Sequence, residues 1–392
     1  MPWTVSGVVD RRKEFFSDYV SGEWSMSELC RIYAISRPTG YAVLARYARQ
    51  GEAGFEARSH APRQHPNQTP SAVEQLVLEL RRQHQHWGPR PLKKILQDRY
   101  PRLVIPTAST IGSILTREGL THHRKKRRHV SPYTQPFLSV EQPNDEWACD
   151  FKGWIRTADG ERIDPLTISD GASRYLLRCQ AVEKTDTARV QAIFEAAFRE
   201  FGLPRAVRSD NGTPFASCAL AGLSRLSVWW IKLGILPQRI EAGHPEQNGR
   251  HERMHRTLKE ATAAPPHANR RAQQRAFDAF RQEYNELRPH QALNMQTPDS
   301  VYRCSPRPFP ARLPEAEYPS AHTVRRVYPH GQFFWKNRDV FLSKVLSGER
   351  IGLVPIDDRY QRIDLAWYPI ARLDTHTLRV EKLQAEDRMM EP

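Results

Sequence analysis

The sequence predicts a multidomain chain, with all-α helix-turn-helix modules first, a mixed α/β layer in the centre and a small β-barrel last. Three observations carry this. Residues 10–50 read as short amphipathic helices parted by tight breaks. From about residue 143 strands and helices alternate. From about 315 short β segments follow one another between turn residues. At 392 residues the chain also exceeds one ordinary core, so several domains are expected.

In chain order, RRKEFFSDYVS (11–21) forms the first helix. Ser25 or Ser27 caps a second, with Leu29, Ile32 and Tyr33 on one face. A break at Ala34-Ile35-Ser36 precedes a third helix that opens near Pro38 and carries Tyr41, Leu44 and Tyr47 at helical spacing. Helix, tight break, helix fits both a three-helix bundle and a DNA-binding helix-turn-helix; Arg37, Arg46 and Arg49 on or beside the last helix favour DNA. Residues 1–55 are therefore expected to bind DNA, and the polar stretch 56–70 to be a linker. A second helical module is expected over 71–130. Thr69 or Ser71 caps its first helix, WGPRP leads into a helix at 91–99, and another spans 107–118. The run Arg124, Lys125, Lys126, Arg127 and Arg128 ends this module and suits a phosphate backbone.

The central layer is expected over 143–305. WACDFKGWI reads as a strand, PLTISDGA and RYLLRCQAV as two more, and RAVRSD as a short strand ending at Asp210. Helices are expected at 187–202, 225–235, 249–262 and 270–287, with PQRI as a further strand. Trp147, Trp154, Trp229 and Trp230 read as core residues. Asp164 and Asp170 read as turn residues, and Asp159 as part of a hairpin turn. Residues 315–385 are expected to form the small barrel.

Lys and Arg total 59 against 44 Asp and Glu, a net charge of +15, which favours a polyanionic partner because each phosphate contact releases condensed counterions. No apolar run reaches the roughly 18 residues of a membrane span, and MPWTVSGVVDRRKEFF lacks the apolar stretch of a signal peptide. A cytoplasmic, nucleoid-associated protein is expected. The five cysteines form no C-x-x-C pair, so neither disulfides nor a zinc site are expected.

Three carboxylates stand out on this basic chain. Asp150 and Asp210 lie in apolar, strand-like surroundings, and Glu252 opens a helix. Carboxylates converging from separate elements can hold a divalent metal against a phosphate, since hard cations take oxygen ligands. Arg256 and Lys259, at i+4 and i+7, share a helix face with Glu252. An exposed Glu–Arg pair would look the same.

In combination these residues resemble the insertion-sequence transposases of the retroviral-integrase type (DDE transposases), which have a ribonuclease H-like catalytic core. The resemblance rests on four motifs in order: an Asp on the first strand; SDNGTPF around Asp210; PEQNGRHER opening a helix; and YNELRPHQALNMQTP at 284–298. It implies DNA end cleavage and strand transfer on two Mg²⁺ ions (Mn²⁺ being an alternative) roughly 3.5–4 Å apart. Asp150 would bridge the ions, with Asp210 and Glu252 each holding one. The same motif selects Glu252 over Glu246, whose spacing from Asp210 is closer to that often quoted for such enzymes. It implies contacts from Arg256, Lys259 and Asn248 to the DNA end, and it implies double-stranded DNA partners: the element's terminal inverted repeats and a target. Both ends must be held together, so a homo-oligomer is expected. The His-His-Cys-Cys zinc module of retroviral integrases is missing, which leaves DNA recognition to the helical modules. Two rivals remain open: a DNA-binding regulator with a dead core, and a nuclease on the same fold.

Overall fold

The computed structural model describes residues 7–57, 68–121, 139–151, 153–217, 219–241, 247, 249–263 and 265–384. It divides into two compact units, Met1–Gln68 and Thr69–Pro392.

The first unit holds α1 (Val8–Ser21), α2 (Met26–Ile32), α3 (Arg37–Gln50) and a 3₁₀ turn at Gly51–Phe55. Ser25 starts α2: its backbone N–H and its hydroxyl both donate to the Glu28 carboxylate, at 2.9 and 2.6 Å. Ser36 starts α3 by accepting from the Thr39 N–H. Phe15, Leu29, Cys30, Ile35, Val43 and Phe55 fill the core. The buried face of α3 is set by Gly40 and Val43, with Leu44 and Tyr47 packed against it, whereas Tyr41 points to solvent. A Cβ at Gly40 would stand 3.0 Å from Cys30 Sγ, Met26 Sδ and Phe15 Cζ, so the missing side chain is what lets α3 approach its neighbours.

The second unit opens with α4 (Ser71–Gln83), α5 (Pro89–Arg99) and α6 (Ala108–Arg117), packed around Val77, Leu80, Trp87, Leu92, Leu96 and Ile111. Pro70, not Thr69 or Ser71, takes the N-cap position of α4. Thr107 caps α6 by accepting from the Thr110 N–H. His84 Nδ1 lies 2.8 Å from Glu283 Oε1, tying this helical layer to the core that follows.

That core is a six-stranded mixed sheet of β1 (Glu146–Phe151), β2 (Ile155–Arg156), β3 (Arg162–Asp170), β4 (Leu176–Val182), β5 (Ala206–Ser209) and β6 (Leu236–Arg239). β1, β5 and β6 run parallel; β3 is antiparallel to β1, β2 and β4. The expected single strand through WACDFKGWI is broken, because Gly153 adopts a left-handed φ of 82° and the chain bends before β2. On one face lie α7 (Thr187–Phe201) and α8 (Arg225–Lys232), which pack Phe194, Phe198 and Trp230 against Trp147, Leu166 and Ile168. On the other lie α9 (Gly249–Thr262) and α10 (Arg270–Gln282), which pack Met254, Leu258, Phe277 and Phe280 against Ile163, Leu176 and Cys179. After α10 the chain passes through a π turn at Glu283–Leu287, so the expected long helix ends early. Here the Asn285 amide accepts from Leu176 N–H (2.8 Å) and donates to Leu176 C=O (3.0 Å), completing the edge of β4. A short α11 (Pro298–Val301) follows.

The expected C-terminal barrel is not closed. β7 (Thr323–Arg326), β10 (Arg350–Pro355), β11 (Tyr360–Leu365), β12 (Tyr368–Asp374) and β13 (Arg379–Glu381) form an open antiparallel sheet in the order β13-β12-β11-β10-β7. β8 (Gln332–Trp335) and β9 (Arg338–Phe341) pair only with each other, through a turn at Lys336 and Asn337 with φ of 47° and 62°. The edge strands β7 and β13 are four and three residues long, and no strand-to-strand ladder joins them. The ribbon still contributes Phe333 and Val340 to the core of the open sheet. Val228 and Ile231 of α8 enter that core as well, and Trp367 Nε1 donates to Ile231 C=O at 2.9 Å, so α8 serves both sheets.

Two predictions follow from these packings. Gly40→Val should overpack the first unit and cost about 1–3 kcal/mol; hydrogen exchange localised to α1–α3 of the full chain should show it, and unchanged protection would refute the close approach. Burial, reinforced by Arg288, pushes the His290 imidazole down to about 4, below the roughly 6.5 of an unfolded chain. The unfolded state therefore binds a proton that the folded state refuses, and stability should fall as pH drops through that window. Denaturant titrations at pH 7 and pH 5 should show His290→Gln losing less stability than the wild type over that interval.

Candidate active site and nucleic-acid interface

The parallel pairing of β1 with β5 places the first two carboxylates. Ala148 stands opposite Arg208, and the same register continued by two residues sets Asp150 beside Asp210. Asp150 is one residue inside the end of β1, and Asp210 follows the last residue of β5. Both act on one buried thiol: burial raises Cys149, and the charges of Asp150 and Asp210 raise it further. Asp210 is held in a tight turn. Gly212 N–H donates to its Oδ1 at 3.1 Å, and the Asn211 amide donates to Ile240 C=O at 2.7 Å. A Cβ at Gly212 would stand 3.0 Å from Asp210 Oδ2, so only glycine leaves this side of the carboxylate clear.

Glu252 lies in the first turn of α9. The helix buries His251, Met254, His255 and Leu258 against the sheet, at i, i+3, i+4 and i+7. That leaves Glu252, Arg256 and Lys259 on its exposed side. His255 Nδ1 lies 3.6 Å from Asp150 Oδ2, so the second turn of α9, one turn beyond Glu252, sits against the end of β1. Among the described residues, no three His, Cys, Asp or Glu side chains gather closely enough to hold a metal ion. Asp150 and Asp210 offer carboxylate oxygens, the donor type a hard divalent cation takes, and the Gly212 side of Asp210 is open.

The sequence had not singled out His251 and His255. Their Nε2 atoms both reach Thr167 Oγ1, at 2.6 and 2.5 Å, and Ser169 Oγ lies 2.9 Å from His251 Nδ1. The signal was present as two histidines four apart in HERMH, on the face of α9 opposite the charged residues. Behind β1, Glu146 (2% exposed) pairs with Arg208 (11%), and Arg208 also donates to Gln247 C=O at 2.9 Å, fixing the approach to α9.

The remaining acids are structural. Asp170 accepts from Asn144 N–H, Ser173 N–H and the Ser173 hydroxyl at 2.6–2.7 Å. Asp164 lies inside β3 and not in a turn, paired with Arg162. Asp159 closes its loop by accepting from the Thr157 hydroxyl at 2.6 Å. Trp147, Trp229 and Trp230 are core residues, but Trp154 is 56% exposed, with the Arg156 and Arg162 guanidiniums 5.8 and 5.6 Å from its ring. The bend at Gly153 carries it out of the core.

In the first unit Arg37 and Arg49 are exposed on α3. Arg46 is half-buried, and its guanidinium donates to Glu56 C=O. Arg124, Lys125, Lys126, Arg127, Arg128, Asn248 and Glu246 lie outside the described residues.

Comparison with known proteins fits this geometry. Residues 140–245 and 233–298 match models of the integrase core domain, 11–63 a helix-turn-helix domain and 39–115 a homeodomain-like domain. The chain thus joins DNA-binding helical domains to an integrase core of the polynucleotidyl transferase kind. It is 29% identical over 246 residues to an uncharacterized protein of insertion element IS476 from Xanthomonas euvesicatoria, covering 62% of this chain and 67% of that one. It is 30% identical over 176 residues to an uncharacterized protein of insertion element IS407 from Burkholderia multivorans, covering 45% of this chain and 61% of that one. The HTLV-2 integrase catalytic core domain solved with magnesium aligns over 41% of this chain and 98% of that one, with 15% identity and a TM-score of 0.33, and the assignment does not lean on it. The chain therefore carries an integrase core domain and is similar to proteins of insertion elements. No helix among the described residues is long and apolar enough to cross a membrane.

The two arginines of α3 should separate in function. Arg49→Ala should weaken DNA binding and lower the salt slope by about one, whereas Arg46→Ala should leave that slope unchanged and cost about 0.5–1.5 kcal/mol of stability. Anisotropy titrations across a salt series, with parallel melts, would expose a reversal.

Proposed function

We propose that this protein is a transposase that binds the ends of its own element, cleaves them in a divalent-metal-dependent reaction and joins the freed ends to target DNA. The observation that carries the reading is the placement of Asp150 and Asp210 at the same end of two adjacent parallel strands, with His255 in the second turn of α9 against that end. Asp150, Asp210 and Glu252 would hold Mg²⁺, or Mn²⁺ in its place. The metal supplies charge neutralisation at the scissile phosphate and lowers the pKa of the attacking hydroxyl.

The chain's own groups do the rest. Arg37 and Arg49 on α3 engage the terminal inverted repeats, and Arg124–Arg128 track the phosphate backbone. Arg256 and Lys259 lie on the Glu252 side of α9, where they hold the phosphates of the DNA end beside the carboxylates, and Asn248 orients that end. Water attacks first and frees a 3′-OH. That hydroxyl then attacks a target phosphodiester, so one P–O bond forms as another breaks and no nucleotide triphosphate is consumed. Joining two ends in one event requires at least two copies of the chain on DNA.

The test is an end-cleavage and strand-transfer assay on duplexes bearing the sequences that flank the gene. Asp150→Asn, Asp210→Asn and Glu252→Gln should each lower the rate by more than about 100-fold, beyond the 10–100-fold typical of a group behind the ligands, while end binding persists. Activity surviving Asp210→Asn would sink the site. Loss with Glu246→Gln and retention with Glu252→Gln would transfer the third role to Glu246. End binding without any cleavage by the wild type would identify a regulator.

A further inference from the structure

The buried face of α9 presents two imidazoles where an ordinary packing helix would present aliphatic side chains. His251 and His255 are each 2% exposed, and Thr167 opposite them is fully buried. Buried polar groups cost stability unless they are hydrogen-bonded, so the cluster needs an account of its protons.

Thr167 Oγ1 has one proton to give and two lone pairs to offer. It is approached by His251 Nε2 at 2.6 Å, by His255 Nε2 at 2.5 Å and, more distantly, by Asp150 C=O at 3.3 Å. At least one imidazole must therefore donate to the hydroxyl. The Ser169 hydroxyl, 2.9 Å from His251 Nδ1, can donate to it, which leaves the ring's N–H at Nε2. If both Nε2 atoms carried hydrogen on neutral rings, His255 would turn a bare Nδ1 lone pair toward Asp150 Oδ2 at 3.6 Å, which is repulsive. The opposite assignment gives each ring nitrogen and side-chain hydroxyl a matching role and gives up only the longer 3.3 Å approach of Thr167 Oγ1 to Asp150 C=O. The Ser169 hydroxyl donates to His251 Nδ1, His251 Nε2–H donates to Thr167, the Thr167 hydroxyl donates to His255 Nε2, and His255 Nδ1–H faces the carboxylate.

We infer that Ser169, His251, Thr167 and His255 form a one-directional hydrogen-bond chain that presents an imidazole N–H to Asp150 and orients its carboxylate from behind, making His255 a positioning residue of the site. The inference rests on Asp150 belonging to the site proposed above. The H-E-x-x-H spacing of HERMH also occurs in zinc enzymes, but here both Nε2 atoms are engaged by one hydroxyl, and no metal-holding cluster exists among the described residues. At 3.6 Å the last link exceeds a hydrogen bond, and it should shorten when the carboxylate is engaged from its other side.

Two measurements decide it. The first is ¹⁵N spectroscopy of the histidine-labelled protein, with His251→Asn and His255→Asn used to assign the signals. The chain requires His255 as the Nδ1–H tautomer and His251 as the Nε2–H tautomer; a neutral Nε2–H His255 overturns it. The second is the Mg²⁺ dependence of end cleavage. Thr167→Val, which removes the hydroxyl, should raise the half-saturating Mg²⁺ concentration by about 10–100-fold with metal-free end binding unchanged, while Thr167→Ser stays near wild type. A Thr167→Val enzyme with the wild-type metal requirement overturns the positioning role. Should the wild type show no metal-dependent cleavage, the proposed function fails by itself, and the tautomers still decide whether the chain exists.

Discussion

The structure turns on the parallel ladder between β1 and β5. These strands are far apart in the chain, and β2, β3, β4 and α7 lie in the connection between them. A parallel pair demands such a crossover, and its consequence is that both strands end on the same side of the sheet. Asp150 and Asp210 meet only because the two strands point the same way. The buried Glu146–Arg208 pair joins the two strands near the start of this ladder, where removal of either partner would strand a charge in the interior.

The second constraint is how α9 is seated. A helix carrying Glu252, Arg256 and Lys259 outward must be fixed in rotation by its inner face. Met254 and Leu258 supply apolar burial, but oily side chains tolerate sliding. The His251–Thr167–His255 contacts do not, because each hydrogen bond has a direction and a length. Polar packing here fixes register, which is what a helix bearing the proposed site carboxylate Glu252 requires. In a similar way α8 is shared by two cores: Trp230 packs under the central sheet, while Val228 and Ile231 pack under the C-terminal one. The segment before it, with Leu220 and Leu223, belongs to the C-terminal core, and this lengthens the path from Asp210 to α9.

Much of this was legible in the residues. The Ser25 cap, the helical periodicity of α7 and the apolar strands β3 and β4 are local properties, and local properties are written in neighbouring residues. The misreadings share a cause. Tyr41 and Trp154 look like core side chains but face solvent, because Gly40 takes the close contact and Gly153 turns the chain outward. The barrel failed to close because strand count follows from local pattern, whereas closure depends on which edges find partners.

By itself, then, the sequence determined the class of elements, the basic character, and the identity of three carboxylates marked by the motifs around them. Local spacing and side-chain chemistry suffice for those. Tertiary structure alone decided that β1 and β5 run parallel, that α9 turns its histidines inward onto Thr167, and that the C-terminal sheet leans on α8. Each of these depends on contacts between residues remote in the chain, and no local pattern encodes which distant partner a buried face will meet.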